Sequence, residues 1–146
     1  DQIDIAGFTR ISEKVIWEAI EHTGLSYKDW VVRKEVKEKP ILHLYIETKE
    51  DGYVTADQVR ELVHEELKKL DTPYAELESF TGLRPLEVTL LPENAFRAFK
   101  LKQQAAGAEL AHLKPPHINP SDAIIDFLVS TARKVTVRTE EEKVEA

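Results

Sequence analysis

The stretch from Thr55 to Leu70 constrains the fold more than any other part of this chain. Thr55-Ala56-Asp57-Gln58 has the form of a capping box, in which the threonine hydroxyl and the glutamine side chain satisfy each other's backbone N–H groups. Behind it Ala56, Val59, Val63, Leu67 and Leu70 recur at three and four residues, the spacing of one helical face. Glu65, Glu66, Lys68 and Lys69 occupy the polar side, and His64 is read with Glu65 and Glu66 as part of that solvated face. A helix with a single apolar stripe needs a second layer to cover it, and the flanking sequence supplies one.

Upstream, Lys28 to Val36 and Ile41 to Glu47 are rich in Val, Ile, Trp and Tyr and read as two adjacent strands, the second alternating Ile41, His43, Tyr45 against Leu42, Leu44, Ile46. Downstream, Leu86 to Leu90 reads as a further strand closed by Pro92. At the start, Ile3 and Ile5 alternate with polar neighbours as a short strand would, and Gly7 breaks the run. A helix then opens with Ser12 as cap and Glu13 at its positive end, carries Val15, Ile16, Ala19 and Ile20 on one stripe, and stops at Gly24. Trp17, Trp30, Phe96 and Phe99 fall inside these patterns and read as core or interface aromatics.

The succession strand, helix, strand, strand, helix, strand is the split βαβ arrangement, so the expected class is α+β with a ferredoxin-like βαββαβ core. A C-terminal helical extension should follow: a helical stretch near 93–106, a proline-rich loop from Leu113 to Pro120, and a helix capped by Ser121. A length of 146 residues suits one domain, assigned to residues 1–135, with 136–146 as a charged tail expected to fray.

Composition excludes several function classes. The 20 Lys and Arg against 27 Asp and Glu leave a net charge of -7, whereas general nucleic-acid binders carry a cationic surplus, so no nucleic-acid partner is expected. Without cysteine there is neither a disulfide nor a thiolate metal site, which suits a reducing, cytoplasmic setting. No apolar run approaches the roughly 18 residues that a membrane span requires. The chain opens on Asp1, contains no Met, and reads as structure from Gln2 onward, so it is expected to be cut from something larger and to own only part of an active site.

No glycine-rich phosphate loop, zinc-protease helix, nucleophile elbow or dinucleotide fingerprint is present, which argues against a self-contained enzyme of a common type. His22, His43, His64, His112 and His117 are scattered; only His112 and His117 share a loop, and their spacing matches no standard ligand pattern, so no metal site is expected. The segment that stands out runs from Gly107 to His117. Pro115 and Pro116 directly follow Lys114, stiffening the loop so that the ammonium group is presented from a pre-set arm. Taken alone, these residues are read first as a surface lysine beside a proline turn, since most lysines are just that.

Two stretches resemble adenylate-forming ligases. Asp1-Gln2-Ile3-Asp4-Ile5-Ala6-Gly7-Phe8-Thr9-Arg10-Ile11-Ser12-Glu13 resembles the strand, glycine turn and helix opening that follow the hinge of those enzymes. Phe96, Gly107-Ala108 and Lys114-x-Pro116 are similar in spacing to the closing motif of the auxin-responsive Gretchen Hagen acyl-acid amido synthetases. One departure is plain: plant members usually have Gln-Tyr-Lys-x-Pro-Arg where this chain has His112-Leu113-Lys114-Pro115-Pro116-His117, which points to a prokaryotic relative and leaves the second cation in question.

The resemblance implies the mobile C-terminal domain of an ATP- and Mg2+-dependent ligase that adenylates a carboxylic acid and passes the acyl group to an amine or thiol. Its partner would be the N-terminal adenylation domain of the same polypeptide, which holds the nucleotide and acid pockets; the fragment alone is expected to bind no cofactor and to be inactive. By position, Lys114 would be the adenylation lysine, Gly7 and Arg10 would belong to the mobile loop after the hinge and act in acyl transfer after domain rotation, and His112 and His117 would be accessory groups. The alternative is a regulatory or small-ligand-binding domain, because the ferredoxin-like order also builds modules of that kind.

Overall fold

The computed structural model describes residues 2–5, 9–49 and 54–130. Among them the elements are β1 (Gln2–Ile5), β2 (Thr9–Ser12), α1 (Glu13–His22), β3 (Tyr27–Val36), β4 (Pro40–Thr48), α2 (Ala56–Leu70), α3 (Thr72–Thr81), β5 (Leu86–Leu90), α4 (Ala95–Ala105), a 3-10 turn (Leu110–His112) and α5 (residues 122–130). The class is α+β with the expected βαββαβ succession and helical extension, elaborated by two elements that the sequence reading passed over, β2 and α3.

β2 pairs antiparallel with β1 in a two-stranded sheet, setting Ile3 opposite Ile11 and Ile5 opposite Thr9, all four buried. The glycine turn between them lies outside the described residues. α3 has clear caps: Asp71 accepts from the Tyr74 amide at 2.9 Å, Pro73 sits in the first turn, and Gly82 leaves the helix at φ 70. Its buried face is only Tyr74 and Leu77, too short a stripe to stand out by periodicity.

β3, β4 and β5 form the main sheet, in which β3 and β4 are antiparallel while β4 and β5 are parallel, joined through α2 and α3. Period-two alternation sends Trp30, Val32, Leu42, Leu44, Ile46 and Leu86 to one face, where they pack on Ile16 and Ile20 of α1, Val59, Val63 and Leu67 of α2, Tyr74 and Leu77 of α3, and the β1–β2 isoleucines. Val31 and Tyr45 point to the other face, against Ala95 and Phe99 of α4 and Ile125 and Leu128 of α5. The sheet is therefore covered on both sides.

The fully buried Trp30 confirms a core role, whereas Trp17 is exposed. The reading of His64 as solvated is overturned: its side chain is 1% exposed. α3 lies over it, with the Tyr74 hydroxyl 2.7 Å from Nδ1 and the Glu78 carboxylate on Nε2. The α2 face is thus wider than the stripe of five residues, because a helix that went unread covers its flank. α2 otherwise begins as expected, with the Thr55–Gln58 box formed in both directions.

The free edge of β3 is covered by the proline loop. Val32 N–H donates to His117 O at 2.7 Å and Asn119 N–H donates to Val32 O at 2.8 Å, giving a parallel bridge between Val32 and Ile118. That pairing fixes where the lysine arm lies.

Candidate functional site

The arm borders a cleft of about 510 Å³ between the start of β3, the end of β4 and α4. Lys28 and Asp29 come from β3, Glu47 from β4, Phe96, Arg97 and Lys100 from α4, and Lys114 and Pro115 from the arm. Asp29 and Glu47 are both engaged elsewhere. Arg97, Lys100 and Lys114 have no acidic partner among the described residues, so the charged groups free to meet a ligand are cations.

Glu47 organises one wall. It is 1% exposed, and its carboxylate accepts from the backbone N–H of Asn94 at 2.9 Å and of Phe96 at 3.1 Å, with Lys28 Nζ 3.3 Å away. Asn94, the cap position of α4, sits at φ 67 and offers no side-chain cap. A carboxylate from a distant strand therefore satisfies the orphan donors and the positive end of the helix dipole. This seats the first turn of α4, and with it Phe96 and Arg97, on the cleft.

The arm is built in steps. α4 ends near Ala106, and Gly107 turns the chain at φ 78, a left-handed conformation that a side chain would strain. Gln103 Nε2 donates to His112 O at 3.1 Å, holding the 3-10 turn against α4. Leu113 and Pro115 are buried and Lys114 is exposed between them, so the apolar neighbours root the arm while the ammonium group stays in water.

His117 closes the arm. Its Nδ1 lies 2.7 Å from Glu13 Oε1, its Nε2 lies 2.9 Å from Asp29 Oδ1, and its ring stacks on Trp30 at 4.2 Å with 10° between planes. Carboxylate oxygens on both ring nitrogens favour the imidazolium form, in which each N–H donates to one of them. The Asp29 hydrogen bond foremost, and then Glu13, raise its pKa above the ordinary histidine value despite the opposing effect of burial.

The predicted site residues separate accordingly. Lys114 faces the cleft and His117 reaches it through Asp29. His112 is exposed, does not line the cleft, and contributes its backbone carbonyl. Arg10 is exposed on β2, opposite Asp4, and does not line the cleft either; Gly7 lies outside the described residues. The sequence reading missed Lys28, Glu47, Arg97 and Lys100. For Glu47 the available signal was an acid ending the apolar alternation of β4, where the following Thr48 would have suited a strand end equally well.

A second polar group lies on the α5 side of the sheet. Glu35 accepts from Tyr45, His43 and Arg33, and Arg33 also pairs with Asp122 at the start of α5. Burial would raise the Glu35 pKa, but the three hydrogen bonds more than reverse it and hold the carboxyl at about 2. Its polar atoms are turned on one another, as suits an anchor for α5. Among the described residues no group of three His, Asp or Glu side chains is placed to hold a metal, and no helix is long and apolar enough to cross a membrane.

These elements define a class of protein, a two-faced α+β domain whose proline-stiffened arm carries an exposed lysine beside a cleft. The chain belongs to the GH3 C-terminal domain family: the family model described as "GH3 family C-terminal domain" matches residues 12–123, which include the whole arm. Among solved structures it is similar to one titled "GH3.15 acyl acid amido synthetase", with TM-score 0.68 and 17% identity over 86% of this chain and 25% of that one. It is also similar to "AtGH3.15 acyl acid amido synthetase in complex with 2,4-DB", with TM-score 0.63 and 14% identity over 88% of this chain and 25% of that one. The chain thus spans about a quarter of the length of these structures. No curated protein matches it.

Proposed function

We propose that this chain is the C-terminal domain of an ATP-dependent carboxylic-acid ligase, which activates an acyl acid as its adenylate and transfers the acyl group to an amine or a thiol. Family membership supports the ligase class. The observation that carries the finer reading is Lys114, a cation without an acidic partner among the described residues, set between two buried residues beside a cleft that Arg97 and Lys100 also line.

Attack of a carboxylate on the α-phosphate of ATP builds negative charge on the transferring oxygens and on the departing pyrophosphate. A cation aimed there stabilises the transition state more than the ground state. Lys114 is the group on this chain suited to that task, and amine and guanidinium donors fit a polyphosphate rather than a metal. ATP would bring its Mg2+ to the enzyme. The acid and nucleotide pockets would belong to the N-terminal domain of the same polypeptide, against which this domain rotates between half-reactions.

The regulatory-module alternative fits less well, because pairing through the β3 edge is obstructed by the arm already bonded to Val32. The test is Lys114→Ala in the full-length protein, assayed as two separate half-reactions. Acid-dependent exchange of pyrophosphate into ATP should fall by about two to three orders of magnitude, the usual cost of removing one oriented charge. Consumption of a supplied acyl-adenylate should stay near the native rate. Normal adenylation by the mutant would return Lys114 to an ordinary surface lysine.

A further inference from the structure

Lys114 has no partner of its own among the described residues, so whatever aims it must act on the backbone of its arm. Pro115 and Pro116 restrict φ but do not determine where the arm points. The first residue beyond them to grip the body of the domain is His117. It is held to the start of α1 through Glu13, to the side chain of Asp29 on β3, to the indole face of Trp30, and to the backbone of Val32. Asp29 is itself a wall of the cleft, so the clamp ends at the place where the lysine is needed.

We propose that His117 is the positioning residue for Lys114: as an imidazolium bridging Glu13 and Asp29 across Trp30, it pins the proline arm along β3 and holds the ammonium group at the cleft. The inference rests on the ligase reading for the role of Lys114, but not for the clamp itself.

The clamp should depend on pH. The groups facing the ring are Glu13 from α1 and Asp29 with Trp30 from β3, while Lys28 and Lys114 line the cleft with Asp29. A histidine whose folded pKa is raised keeps its bonds at lower pH and loses them as pH rises through that value. Once neutral, the ring can donate to only one of the two carboxylates. Arginine at 117 could span both acids, stack on Trp30, and stay charged throughout.

The experiment compares His117→Gln, His117→Arg and Lys114→Ala by two measurements. One is amide hydrogen exchange at Val32 and Asn119, the two N–H groups of the bridge, in this chain. The other is adenylation by the full-length protein from about pH 6 to about pH 9, the range that brackets histidine titration. His117→Gln should lower protection at both amides about tenfold or more and reduce adenylation kcat about 10- to 100-fold, with the KM for ATP changed little, as expected for a misplaced catalytic group. His117→Arg should restore both and abolish the alkaline decline of the native enzyme.

Retained protection in His117→Gln, or lost protection with an unchanged kcat, overturns the inference. Should His117→Gln unfold the domain, the pH profile decides: a native rate declining at high pH no more than that of His117→Arg also overturns it. Normal adenylation by Lys114→Ala refutes the ligase reading separately, whatever the two amides do.

Discussion

Replacing Glu47 by Ala would remove the cap that seats α4 on the cleft. In the native domain this 1%-exposed carboxylate accepts from the amides of Asn94 at 2.9 Å and Phe96 at 3.1 Å, and Asn94 offers no side-chain cap to replace it. Hydrogen bonds to a charged acceptor contribute about 1.5 to 3 kcal/mol each, and a part of that already contains the favourable contact with the helix dipole. Lys28 is 37% exposed and can rehydrate when its partner is lost, so the ion pair adds little. Water can also reach the freed amides from the cleft side. The net loss is about 3 kcal/mol, a large share of the 5 to 15 kcal/mol typical of a domain, and should lower Tm by roughly 10 °C. Glu47→Gln keeps one acceptor without the charge and should lose about half as much. Urea denaturation of the purified chain gives the free energies, and hydrogen exchange at Phe96 to Ala98 reports on the first turn of α4. A loss below about 1 kcal/mol, with that turn as protected as in the native chain, would refute the assignment of Glu47 as the cap.

Three further outcomes are expected. Lys114→Arg should not rescue adenylation in the full-length protein, because a planar fork does not occupy the position of a compact ammonium group; recovery to near the native rate would show that only charge matters there. His64→Ala should destabilise the domain by about 2 to 4 kcal/mol by urea denaturation, since it opens a cavity and strands the buried Tyr74 hydroxyl, and a loss under about 0.5 kcal/mol would mean that α3 does not seal this face. Glu35, whose folded pKa is depressed from 4.5 to about 2, stabilises the fold above its ordinary pKa and loses that contribution as pH falls through about 2. The gap in urea midpoint between the native chain and Glu35→Gln should therefore be constant at neutral pH and shrink only below about pH 4.5, where unfolded glutamate titrates.

What the sequence determined by itself was whatever a local hydrogen bond or a short period can encode. The Thr55–Gln58 box and the stripe behind it gave α2, the alternation of Leu42, Leu44 and Ile46 gave β4, and the Ser12 cap gave α1, all within a few residues of their cause. The order of these elements was enough for the α+β class, and the two prolines marked Lys114 as a cation on a stiff arm. β2 escaped because four residues with one apolar side chain form a strand only when β1 supplies the other half of the ladder. α3 was legible in its caps but not in its short buried face, and with it went the burial of His64. The cleft was out of reach for a different reason. Glu47 caps a helix 47 residues downstream, and His117 meets Glu13 across 104 residues, so neither partner leaves a trace near the other in the chain. Only tertiary packing could bring these charges together, because a hydrogen bond needs about 3 Å of separation in space and is indifferent to separation in sequence.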